Sequence, residues 1–235
     1  MSLREFASNT SKVLRDLALE LKQSQNEVKV LGLKWTLVED TLRIAEPRTE
    51  STRIPRTKIE FLSLVANVKE PLRVLAPALL PLKILGIELW LANLEWAQVI
   101  HLCFSERLPP LLSDLANAPT MTLPRWLGVT NGGDVQLHVY ADASKHACSP
   151  GAYLGVGNAE GAEASLMCAK VRLALRETSI PRLEQLAVLI DARIATFLAK
   201  QIPVGFSSRI LFTDSKCVMP WLCSMKIRSV YVVNR

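Results

Sequence analysis

The chain has 235 residues, 49% of them apolar, and a formal net charge of +6. That length and composition suit one or two globular domains with a hydrophobic core and exclude a disordered chain. The mild positive excess fits a nucleic-acid or anionic-membrane partner without choosing between them.

The N-terminus, MSLREFASNT, carries charges and no apolar run, so no secretory signal is expected. The most hydrophobic region, Val74 to Leu94, is interrupted by Pro77, Pro81, Lys83 and Glu88. Its uncharged stretches are far too short to span a bilayer, so no membrane role is expected. Cys103, Cys148, Cys168, Cys217 and Cys223 form no C-x-x-C pair. Reduced thiols in an intracellular compartment, cytoplasmic or nuclear, are the expectation. Cys217 and Cys223 with His146 match no standard zinc spacing.

Along the chain, Val13, Leu14, Leu17, Ala18 and Leu21 predict an amphipathic helix over Ser11 to Leu21. VKVLGLKWTLVEDTLRI predicts two short strands around a turn near Glu39–Asp40, and AEPRTESTRIPRT a linker. A helical pattern restarts from Lys58 to Ala66, after which Pro71, Pro77 and Pro81 are expected to cut the region into short helices. Ile84 to Leu94 predicts a helix with Ile84, Ile87, Leu91 and Leu94 on one side, and Pro110 to Leu115 another. The turn-rich segment APTMTLPRWLGVTNGGD then separates a first domain, residues 1–125, from a second, residues 133–235.

In the second half, DVQLHVYAD, GAYLGVGN and AEASLMCAK predict three strands. Pro181 opens a long helix with Leu183, Leu186, Ile190, Ile194, Phe197 and Leu198 facing a core. SSRILFTDS predicts a fourth strand and Val218 to Met225 a following helix, with Pro220 in its first turn. The order β-β-β-α-β is that of an α/β domain with a mixed sheet.

Three acids stand out in this pattern. Asp142 ends the first of these strands, Asp214 ends the fourth, and Glu184 sits in the first turn of the long helix. A carboxylate at the end of an apolar strand is costly to bury unless it is paired or binds a metal. If the two strands are neighbours and the helix packs across them, the three converge at the sheet's carboxyl edge, where α/β folds place ligands. Clustered carboxylates without a histidine suit Mg2+ or Mn2+. Two such ions can activate water and stabilise a leaving oxygen at phosphorus. Ser144 and Ser215 then read as supporting hydroxyls. From Lys200 onward, Lys200, Arg209, Lys216, Lys226, Arg228 and Arg235 surround the single acid Asp214, an arrangement that can hold a phosphate backbone beside a cation. The alternative stays open that Asp142 and Asp214 cap turns and Glu184 favours a helix start.

The sequence resembles the Pol polyprotein of Bel/Pao-type LTR retrotransposons downstream of the polymerase active site. In the first half the resemblance is carried by LREFASNTSKVL, LGLKW with TLRI, TKIEFLSLVANVKEPL and LEW. In the second half it rests on HVYADASKHA, SLMCAKVRLALRETSIPRLEQLAVLIDARI and LFTDSKCVMPWL, with AKxR, TSIPRLE and TDS the most specific combination. The resemblance implies a reverse transcriptase palm-end, thumb and connection-like region of α+β character, followed by a ribonuclease H-like domain incomplete at its C-terminus. It further implies hydrolysis of RNA in RNA–DNA hybrids, with two Mg2+ or Mn2+ ions held by Asp142, Glu184 and Asp214. Nucleic-acid contacts are expected from Lys145, Ser215, Lys216, Lys226 and Arg228. Arg182 either faces the substrate or pairs locally. The remainder of the Pol polyprotein is the expected partner.

The chain also departs from the family pattern. It stops at VYVVNR before the fourth acid, has no Y-x-D-D motif, and carries Arg73 where a turn glycine is usual. HACSPGAYLGV is altered where an Ala-Tyr-Gly turn is usual, and Gln185 follows Glu184 where an apolar residue is usual. The peptidase label sometimes attached to this region needs Asp-Thr/Ser-Gly, whereas Asp142-Ala-Ser and Asp214-Ser-Lys lack the glycine. Two further readings remain: a non-catalytic module that binds nucleic acid or a polymerase, and a relic with exposed apolar surface and an open sheet edge.

Overall fold

The computed structural model describes residues 6–10, 12–13, 15, 26–44, 54–118, 121–129, 133–158, 161–174 and 178–223. The helix expected over Ser11 to Leu21, most of the linker after it, and the tail with Lys226 and Arg228 lie largely or wholly outside these residues. The chain divides into two compact units, Met1–Trp126 and Leu127–Arg235.

In the first unit, β1 (Glu27–Val30), β2 (Leu33–Thr36) and β3 (Thr41–Ile44) form an antiparallel meander. This is one strand more than the alternation predicts. Leu31 and Gly32 both have positive φ, 51° and 90°, the backbone that a tight two-residue hairpin turn requires. α1 (Lys58–Asn67) starts at Thr57, whose hydroxyl accepts the Glu60 amide at 3.3 Å.

α2 (Ala76–Leu91) runs unbroken through Pro81, correcting the expectation of short pieces. It buries Leu79, Leu82, Leu85 and Leu89 on one face. Each buried leucine contributes on the order of 1.5–3 kcal/mol, which together outweighs the roughly 3 kcal/mol that an interior proline costs. The buried face is also not the one expected, since Ile87 and Leu91 are exposed. A helix apolar almost all round has no single amphipathic phase. Its partners, Phe61 and Leu108 among them, select the face. α3 (Leu102–Ser105) and α4 (Leu108–Ala116) follow, and β4 (Thr122–Pro124) pairs with β3.

In the second unit come β5 (Asp134–Ala141), β6 (Ala147–Cys148), β7 (Gly151–Asn158), β8 (Gly161–Ala169) and β9 (Arg172–Leu173). They are followed by α5 (Ile180–Gln201), β10 (Ser208–Thr213) and α6 (Val218–Cys223). The main sheet has the order β10-β5-β7-β8, with β10 parallel to β5 and the other pairs antiparallel, so it is a mixed sheet in an α/β unit. Strict alternation places Val135, Leu137, Val139 and Ala141 in the core, where Leu137 and Val139 pack with Ile194 and Leu198 of α5. Phe197, expected on the core stripe, is 61% exposed. One residue is a rotation of about 100° on a helix, and that step from Leu198 turns Phe197 off the sheet. On the sheet face away from α5, Tyr140 stacks on Phe212 at 4.7 Å and meets Tyr153 edge-on at 5.5 Å.

Candidate functional site

β5 and β10 are adjacent and parallel, with Ala141 in register with Thr213. The next residue on each strand is an acid, so Asp142 and Asp214 leave the sheet side by side at its carboxyl edge. Both are exposed. Asp142 accepts the Ala143 amide on Oδ1 at 2.7 Å, and its carbonyl accepts the Ser149 amide at 3.0 Å. Those bonds hold the turn into β6, in which the Ser144 hydroxyl closes a small loop by donating to the Ala147 carbonyl at 3.3 Å.

Glu184 sits in the second turn of α5 rather than the first, because the helix begins at Ile180. Its Oε2 accepts the Ser215 hydroxyl at 2.7 Å. Ser215 is almost completely buried, and its oxygen also accepts the Val218 amide at 3.0 Å, capping α6. This one hydroxyl therefore ties Glu184 to the residue next to Asp214. The backbone brings all three acids to one edge of the sheet. Their side chains are not drawn into a closed cluster: among the described residues, no three His, Cys, Asp or Glu groups are placed to hold a metal ion.

Basic residues flank this edge. Lys145 is exposed in the turn after Asp142, Lys216 is exposed beside Ser215, and Arg182 is exposed in the first turn of α5. All five cysteines are free thiols, with Cys148 buried and Cys168 partly so.

Asp191 is a feature that sequence reasoning missed. It lies two turns beyond Glu184 on the same side of α5, is fully buried, and neither carboxyl oxygen has a hydrogen-bond partner. Burial pushes its carboxyl up to about 7, and the nearby Gly151 amide opposes this without forming a hydrogen bond. The available signal was an acid seven residues from Glu184, within a helix otherwise read by its leucines and isoleucines.

Among the described residues no helix is long and apolar enough to cross a membrane. No curated protein matches the chain. A solved structure of a foamy viral protease-reverse transcriptase in complex with double-stranded DNA is similar at 16% identity and a TM-score of 0.48. That similarity covers 82% of this chain but 32% of the other, so this chain spans about a third of that protein's length. The family model described as the Pao retrotransposon-like RNaseH-like domain matches residues 57–215, more than half of the 235-residue chain. The chain belongs to that family and is a Pao/Bel-type retroelement Pol region.

Proposed function

We propose that the second unit hydrolyses the RNA strand of RNA–DNA hybrids with the help of Mg2+ or Mn2+. The observation that supports this most is the side-by-side exit of Asp142 and Asp214 from two parallel strands. Adjacent strand ends bring both acids to one edge of the sheet, where a divalent cation between them would relieve their like charge. Their oxygens, with those of Glu184, are hard donors of the kind that divalent Mg2+ and Mn2+ take. Asp142, Asp214 and Glu184 would hold the metal, which when bound supplies an activated water and charge stabilisation at phosphorus. Ser215 positions Glu184 by donating to Oε2. Lys145 and Lys216, with Arg182, Lys226 and Arg228, supply positive charge for the strand backbone. The remainder of a Pol polyprotein would be the natural partner, inside the cell.

A second reading, a module that binds nucleic acid without cutting it, is favoured because, among the described residues, no three acidic, histidine or cysteine side chains are placed together to hold a metal ion. The two separate in one assay. Purified chain is expected to cut a labelled hybrid only with Mg2+ or Mn2+, and Asp142→Asn is expected to abolish cutting while preserving the fold. A folded sample that binds hybrid in a salt-dependent way, yet cuts no more than a metal-free control, would overturn the enzyme reading and support the module.

A further inference from the structure

A cleft of about 790 Å³ opens in the first unit between the β1–β2 turn, the C-terminal half of α1 and the start of α2. Its volume is in the range of small-molecule sites. Leu62, Val65 and Leu79 supply apolar lining, and four cations line it as well: Lys29, Lys69, Arg73 and Lys83. The one acid among the lining residues, Glu70, is already committed. Its side chain is fully buried, Oε2 accepts the Leu75 amide at 3.2 Å, and Oε1 pairs with Arg73 at 3.5 Å. Among the described residues, no carboxylate lies within ion-pair distance of the three lysines.

Two details show that this charge is held at a cost. The Lys83 ammonium is partly desolvated and faces the Arg73 guanidinium, and both effects lower its pKa, against a weaker pull from Glu70. Arg73 itself takes a left-handed backbone, φ 62°, which a non-glycine residue adopts only under strain. Glu70 answers Arg73, but the three lysines of the lining have no ion-pair partner among the described residues, so the cleft keeps a net positive charge that a bound anion would offset.

We propose that this cleft binds a phosphate-bearing ligand, either a free nucleotide phosphate or a phosphate of a nucleic-acid strand. The ligand's phosphate lies between Arg73 and Lys83, with Lys29 and Lys69 at the rim, and its remaining body covers the apolar lining. The site is built from residues of the first unit alone and does not depend on hybrid cleavage.

The test uses the full chain and two probes, inorganic pyrophosphate and a labelled twenty-nucleotide single strand. Lys83→Met removes the charge and keeps an unbranched side chain one atom shorter; Lys29→Gln removes the charge on an exposed strand, where folding is not at stake. Each variant is expected to weaken binding about five- to tenfold and, for the strand, to lower the salt slope by about one. Loss on pyrophosphate points to a free phosphate ligand, and loss on the strand alone to a backbone phosphate. Either supports the cleft. Unchanged affinity for both probes in both variants, or no affinity for either probe in the parent chain, overturns it. Asp142→Asn, which tests the hydrolysis reading, is expected to leave pyrophosphate binding unaltered, so the two proposals fail separately.

Discussion

Replacing Asp191 by asparagine is expected to remove most of the pH dependence of the second unit's stability between about pH 4 and 7. The carboxyl is fully buried, without a hydrogen-bond partner, and is pushed from an ordinary 3.8 up to about 7. Below the unfolded value both states hold the proton, and the group contributes nothing to the pH slope. Between 3.8 and about 7 the unfolded chain releases its proton while the folded chain keeps it, so stability falls as pH rises. At 1.36 kcal/mol per pH unit the total loss is about 4 kcal/mol, reached near pH 7 and constant above it. The groups facing Asp191 do not cancel this. Burial pushes the thiols of Cys148 and Cys168 up, so they stay neutral across that window. Asparagine abolishes the proton term but leaves an unpaired amide that costs about 1–3 kcal/mol. The net gain at pH 8 is therefore expected to be about 1–3 kcal/mol. Urea titrations at pH 5, 6, 7 and 8, read by hydrogen exchange in peptides from α5, measure it. A parent chain equally stable from pH 5 to 8, or a variant with the parent's slope, would refute the reasoning.

Ser215→Ala removes a buried hydroxyl that both caps α6 and holds Glu184, and is expected to cost about 1–3 kcal/mol; an unchanged melting temperature would contradict it. Gly32→Ala places a Cβ 2.6 Å from the Lys69 Cβ on a backbone with φ 90°, and thermal melts should show the first unit destabilised by about 1–3 kcal/mol. Lys58 is buried, donates to the Leu94 carbonyl at 3.0 Å and sits 3.6 Å from the centre of the Trp90 ring. Lys58→Met should cost about 1.5–3 kcal/mol through the lost charged hydrogen bond and cation–π contact, measurable by urea unfolding with tryptophan fluorescence.

How much of this was legible in the residues depends on how strongly each segment alternates. β5 was readable because one of its faces is buried and the other is not, so DVQLHVYA carries a period of two on its surface. α5 was readable from its leucine and isoleucine spacing, although the place of Phe197 was not. α2 was read in the wrong phase and in pieces, because a wholly apolar stretch has no preferred face and its prolines argue locally against a helix that packing then completes. The hairpin at Leu31–Gly32 has no clear local signal, because leucine is not a residue that advertises a left-handed turn. Arg73 departs from the family pattern where a turn glycine is usual, and the backbone there does have the positive φ that glycine would hold without strain.

The residues by themselves determined the α/β pattern of the second half, the family, and the placement of Asp142 and Asp214 at strand ends, since each of these follows from local periodicity and motif. Only the tertiary structure decided that those two strands are parallel neighbours, that Ser215 joins Glu184 to them, and that Asp191 is shut in the core. Pairing, side-chain hydrogen bonds and burial join positions about 30 to 70 residues apart along the chain, and packing, not local propensity, chooses among them.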